Sequence, residues 1–231
     1  MFSTKESLKY GWDKLKVNFW KFIAVTACML AIGLISELFS NMFEDNTSVI
    51  AGIIFFIGIV AAVVLSLVIK IGSTKFFLSV HDGEVPNIKF IFSAFGVFWK
   101  YIWVSILQGL IMLGGFILLI VPGIIWSIKY SFAPTIVIDT GVSARAALRE
   151  SGNITQGAKL KLFGYYIVIG LINILGYIAF GIGILVTLPL TTLSYIYVYR
   201  ILSQKNAGLN IRPEPTTTES TPSDLSPHTT I

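Results

Sequence analysis

Cysteine occurs once in this chain, as Cys28, so no intramolecular disulfide can form. Histidine occurs twice, at His81 and His228. A His-Glu-x-x-His pair, a Walker loop and a Gly-x-Ser-x-Gly elbow are all missing. These absences remove the common metal, nucleotide and hydrolase chemistries. The expectation is a protein with no catalytic residue, cofactor or metal, and not an enzyme. Charge is scarce as well. Asp, Glu, Lys and Arg make up 13% of the 231 residues, against roughly 25% in a soluble domain.

Apolar residues dominate, at 55%, with a mean hydropathy of +0.79. They come in blocks rather than stripes. Blocks of about 20 residues mean bilayer-spanning helices, because lipid cannot satisfy an open backbone. The blocks predict an all-α, polytopic membrane bundle with spans at about 19–39, 49–71, 98–121, 122–138, 160–180 and 182–202. Residues 1–205 form the membrane domain. Residues 206–231, rich in Pro, Thr and Ser with three acids, read as a disordered tail. The first block starts late and lacks a small-x-small site, so it does not read as a signal peptide. The fourth block is short. It covers about 17 residues, or roughly 25 Å, so a re-entrant segment competes with a full span.

Two flanking segments read as amphipathic helices. In residues 3–17, Ser3 and Glu6 have capping-box spacing, and Leu8, Trp12, Leu15 and Phe19 share one stripe. Lys5, Lys9, Lys14 and Lys16 occupy the rest. Such a helix meets anionic headgroups in the interface or docks on the bundle. Residues 143–157 place Arg145 and Arg149 toward headgroups and end at Gly152 or Gly157, with Gly141 turning the chain. A third segment, 90–98, is aromatic and reads as interfacial.

Sixteen of the seventeen Lys and Arg residues orient the chain. Five belong to the amino end, four to each of the two long connections and three to the carboxyl end. The three opposite turns carry none. The positive-inside rule puts both termini and both long connections in the cytoplasm of a cell (inner) membrane protein. The formal charge of +5 therefore implies anionic membrane lipids and a cytoplasmic-side protein partner, not nucleic acid.

Lys129 is the exception, because counting from Pro122 places it near the outer surface. Glu37 lies at a similar, shallower depth. The two pair across the bundle and line an outward polar pocket, or Lys129 snorkels to the outer headgroups. Gln108 and Asn173 sit near mid-span, as a polar pathway or as interhelical glue. Lys129, Glu37, Gln108 and Asn173 form the candidate intramembrane site, which would suit a transporter or flippase of a small amphiphile. Pro122 and Gly123 are the expected outer hairpin turn. Hydroxyls at Thr187, Thr191, Thr192 and Ser194 can satisfy carbonyls freed by Pro189. His81, Asp82 and Glu84 are either a surface site or an Asp-Gly turn.

An ordered set of motifs completes the reading. It comprises Ile120-Val121-Pro122-Gly123-Ile124-Ile125, Tyr130-Ser131-Phe132-Ala133-Pro134, Ala147-Leu148-Arg149-Glu150-Ser151, and Thr155-Gln156-Gly157 before Phe163. With Gly11-Trp12-Asp13-Lys14-Leu15-Lys16-Val17-Asn18-Phe19-Trp20 at the amino end, it resembles the YciC-type bacterial six-span membrane proteins. The membrane domain fused to some glycerophosphoryl diester phosphodiesterases is similar. The resemblance implies a six-helix inner-membrane bundle with little soluble mass, and one able to regulate a lipid-headgroup enzyme. It implies no catalytic residues.

Overall fold

The computed structural model describes residues 2–17, 19–43, 49–83, 95–178 and 183–210. Within them lie nine helices and no strand: α1 (Thr4–Val17), α2 (Phe19–Phe43), α3 (Val49–Asp82), α4 (Phe95–Leu118), α5 (Ile120–Tyr130), α6 (Ala133–Thr140), α7 (Ala144–Ile154), α8 (Lys159–Ile178) and α9 (Ile184–Asn210). Residues 44–48, 84–94 and 211–231 lie outside the described residues, as do Glu84, most of the aromatic segment 90–98 and nearly all of the expected tail.

Five stretches are long and apolar enough to cross a membrane: Gly52–Asp82, Gly96–Leu118, Ile120–Thr140, Lys159–Ile178 and Ile184–Asn206. The chain is a multi-pass helical membrane protein. Within α2, the stretch Phe19–Ala31 is apolar as well.

Side chains are buried unevenly along these helices. The first half of α3 is bare, with Ile50, Ile53, Phe56, Ile57, Val60 and Val63 exposed. Its second half is covered, with Ile71, Phe77, Leu78 and Val80 buried. Phe22 stacks on Phe77 within the same core. Bare apolar side chains also run along α4 (Trp103 to Leu118) and α8 (Leu160 to Ile178). Surface of that kind is stable only against lipid, since water penalises each exposed Å². The core itself gathers at the other end, from α3, α6, α7 and α9 with Phe132, Ala147, Leu162, Tyr165, Ile196 and Tyr199.

Several boundaries differ from the sequence expectations. Residues 72–82 continue α3 instead of opening the long connection. Their hydroxyls turn inward: Ser73 and Thr74 donate to the Lys70 carbonyl and Ser79 to that of Phe76. Helix α9 runs to Asn210, past the expected start of the tail. The hairpin between α4 and α5 turns at Leu119, not at Pro122-Gly123. Pro122 sits in the first turn of α5, where a missing N–H costs nothing. Gly123 serves close packing instead, since a Cβ there would lie 2.7 Å from the Phe116 ring.

The doubtful fourth block resolves into two helices in one direction. Near the hairpin, Gly115 of α4 meets Gly123 of α5. Far from it, Lys100 Nζ donates to the Gly141 carbonyl at 2.6 Å. The segment therefore runs antiparallel to α4 throughout and does not turn back. A break at Ser131-Phe132 separates α5 from α6, and Pro134 follows in the first turn of α6. Gly141, at φ 67°, closes α6 in the left-handed region that glycine favours.

Helix α1 docks on the bundle by a face that shares Leu15 with the expected stripe but is rotated away from Trp12. Ser7, Gly11 and Leu15 are buried, whereas Trp12 is 43% exposed. A Cβ on Gly11 would lie 2.7 Å from the Leu190 carbonyl oxygen of α9, so only glycine permits this crossing. Trp12 turns outward with Lys16 Nζ 5.2 Å from its ring.

Candidate functional site

The break between α5 and α6 leaves backbone groups that the helices cannot satisfy. Helix α7 supplies the partners. Its N-cap, Ser143, accepts from the Ala146 N–H, and its apolar face buries Ala147, Leu148, Ser151 and Ile154. Fully buried Ser151 donates from Oγ to the Lys129 carbonyl at 2.8 Å and accepts from the Phe132 N–H at 3.3 Å. Thr155 Oγ1 adds a donor to the Lys129 carbonyl at 3.3 Å. One hydroxyl thus bridges both sides of the break.

This stitching fixes where the Lys129 side chain goes. A Cβ on Gly152 would lie 3.1 Å from Lys129 Cε, so the lysine stem lies on the bare backbone of α7. Its ammonium is 5.0 Å from the Tyr130 ring. From there it enters a cavity of about 520 Å³ shared with Arg145 and Arg149 of α7 and Lys159 of α8. Ile111 and Leu148 form its apolar wall, and Asn153 and Gln156 add amides. No Asp or Glu lines the cavity. Among the described residues, none of the four cations has an ion-pair partner. Four like charges around one space favour an anion at its centre.

The sequence reading set Lys129 by depth near Glu37 and the outer surface; the structure groups it with Arg145, Arg149 and Lys159. Lys129 lies with basic residues of the opposite end, because α7 folds back beneath the break. Glu37 is exposed on α2 and forms no ion pair with Lys129 among the described residues. Asn173 donates from Nδ2 to Thr191 Oγ1 of α9 at 3.4 Å, which is interhelical glue. Gln108 is half-buried on α4. Of the four residues, only Lys129 lines the cavity. Nor do the hydroxyls near Pro189 cap the carbonyl it frees: Thr191 and Thr192 donate to the Thr187 and Leu188 carbonyls.

A second polar cluster joins the ends of α3 and α6 to the body of α9. Arg200 binds Asp139 and Asp82, and Tyr199 donates to Asp139 Oδ2 at 2.7 Å. His81 Nδ1 lies 3.1 Å from Asp82 Oδ1. The His81-Asp82-Gly83 stretch is therefore a helix end tied by Asp82 to α9, with Gly83 at φ 80°. Tyr10 of α1 stacks on Tyr197 at 4.5 Å and contacts His81. Burial pushes the Tyr10 hydroxyl up to about 12, and nearby Asp82 and Tyr197 push the same way. No group of three or more His, Cys, Asp or Glu suited to a metal occurs among the described residues.

No family model matches the sequence. An uncharacterised protein of Mycobacterium bovis is 25% identical over 169 residues, which cover 71% of this chain and 50% of that protein. Two uncharacterised proteins of Mycobacterium tuberculosis match over the same length at 25% and 24%. The chain spans about half the length of the curated relatives it matches. Their names carry no activity. No solved structure matches. Any functional reading therefore rests on the site itself.

Sequence reasoning missed this cavity for a definite reason. Arg145 and Arg149 were legible as one face of a helix, and Lys159 as the start of a span. Their meeting with Lys129 depends on Ser151 and Thr155 capturing a carbonyl 22 and 26 residues away. The available signal was the pair of hydroxyls on the apolar face of α7.

Proposed function

We propose that this chain is a six-span inner-membrane protein that organises anionic lipid from the cytoplasmic face and carries out no chemical step. The observation that supports this most is the acid-free cavity ringed by Lys129, Arg145, Arg149 and Lys159. Exposed tryptophans favour the same placement. Trp12, Trp20, Trp99 and Trp103 are 43%, 79%, 69% and 60% exposed, and Lys16, Lys21 and Lys100 stand near them in sequence. Tryptophan beside lysine is the pattern of a helix end at the headgroup level. In this reading α2 is the sixth span. Its 25 residues measure roughly 37 Å at 1.5 Å each, enough for a hydrocarbon core of about 30 Å.

The resemblance to YciC-type proteins agrees with this architecture. A soluble protein partner would also meet the cytoplasmic face. Transport of a small amphiphile is tied to Lys129, Glu37, Gln108 and Asn173, of which Lys129 alone lines the cavity. The test is extraction in native nanodiscs followed by lipid mass spectrometry. The expected result is anionic phospholipid enriched over the bulk membrane. Co-purified lipid of bulk composition overturns the proposal.

A further inference from the structure

We infer that the cavity between α5, α7 and α8 is a one-to-one binding site for a phosphomonoester dianion. The inference rests on the anionic-lipid reading and narrows it from a diffuse attraction to one pocket and one headgroup chemistry. The charge count comes first. Four cations face one space without a carboxylate among them. A singly charged phosphodiester leaves more of that repulsion uncancelled than a dianion does. Ligand geometry follows. Arg145 and Arg149 stand one turn apart on α7, so their guanidinium forks reach one phosphate from the same side. Lys129 and Lys159 approach from α5 and α8, as point charges on flexible stems.

The pocket is also built to keep its shape. Ser151 and Thr155 hold the Lys129 backbone, and the missing side chain at Gly152 gives the lysine stem its bed. The surroundings favour a lipid as the source of the phosphate. Leu160 and Phe163, directly after Lys159, are 85% and 39% exposed, and Ile111 lines the wall. An acyl chain covers such surface, whereas a free phosphate leaves it bare.

The experiment uses the full chain in nanodiscs of phosphatidylcholine doped with either phosphatidic acid or phosphatidylglycerol at equal mole fraction. Native mass spectrometry counts the lipid retained during delipidation. One retained phosphatidic acid per chain is expected, held at least tenfold more than phosphatidylglycerol. The double variant Arg145→Gln/Arg149→Gln should lose that preference, while Lys5→Gln/Lys9→Gln on α1 should keep it. Gly152→Ala is the companion variant, since it displaces Lys129 without removing a charge. It should weaken retention several-fold. Millimolar inorganic phosphate in the buffer separates the sources. If it displaces the lipid, the phosphomonoester site stands with a soluble occupant as a competitor; no displacement assigns the site to lipid. Equal retention of the two lipids, or retention unchanged by Arg145→Gln/Arg149→Gln, overturns the site. General anionic enrichment surviving in that case leaves the broader reading intact.

Discussion

Arg200 and Asp139 are joined through both ends of the guanidinium. Nη1 donates to Oδ2 at 2.7 Å and Nη2 to Oδ1 at 2.9 Å. The side chains are 19% and 16% exposed, so the pair is largely withdrawn from water. It ties the end of α6 to α9 across 61 positions of sequence. The same guanidinium also holds Asp82 at the end of α3.

Removing one partner of a largely buried pair leaves the other charge stranded. Asp139→Asn should lower stability by about 2–3 kcal/mol, the range for hydrogen bonds to charged groups. Asp82→Asn should cost less than about 1 kcal/mol, because its side chain is 38% exposed. Unfolding in detergent, followed by circular dichroism, ranks the two. Equal losses would contradict the assignment of Asp139 as the principal anchor.

Ser151→Ala removes a donor and an acceptor from the break between α5 and α6. The Phe132 N–H then has no partner, which costs about 1–3 kcal/mol when buried. Thr155→Ala should do less, since Ser151 still holds the Lys129 carbonyl. Thermal melts of both variants in one detergent check the order, and a Thr155→Ala loss as large as that of Ser151→Ala refutes it.

Gly11→Leu should lift α1 off α9, because its Cβ alone already collides with the Leu190 carbonyl. Limited trypsin digestion reads this directly. Cleavage after Lys9 and Lys14 should speed up at least several-fold, while the rest of the bundle stays resistant. Unchanged cleavage would mean that α1 is not held at this crossing.

The raised Tyr10 hydroxyl predicts a pH dependence. The docked state favours the neutral phenol, which has a pKa of about 12 there against about 10 in an unfolded chain. This stabilisation is complete below pH 10 and is lost as pH rises from 10 to 12. Melting temperatures of the native chain should therefore fall more steeply over that window than those of Tyr10→Phe. Parallel curves would exclude the linkage.

Much of the architecture was legible because lipid imposes a simple rule. Long apolar blocks must be helices, and α4, α8 and α9 begin close to where the blocks predict. Helix α3 was read too short, since Gly72, Ser73, Thr74 and Lys75 have a loop-like composition. Their hydroxyls bond back within the helix, which composition does not reveal. Helix α1 was read correctly as a helix, and Leu15 of its stripe is buried, but the docked face is rotated from Trp12 toward Gly11. A stripe count favours Leu8 and Trp12, whereas the docking is decided by how closely two backbones approach at Gly11. The neighbours of Lys129 were not legible because depth was counted along one helix, while they come from α7 and α8.

The stitched break has a consequence for how the protein is made. Until Ser151 and Thr155 have left the ribosome, the Lys129 carbonyl has no hydroxyl to accept from and the Phe132 N–H none to donate to. Lipid offers neither. The segment Ile120–Thr140 thus completes its backbone hydrogen bonding only when α7 folds against it.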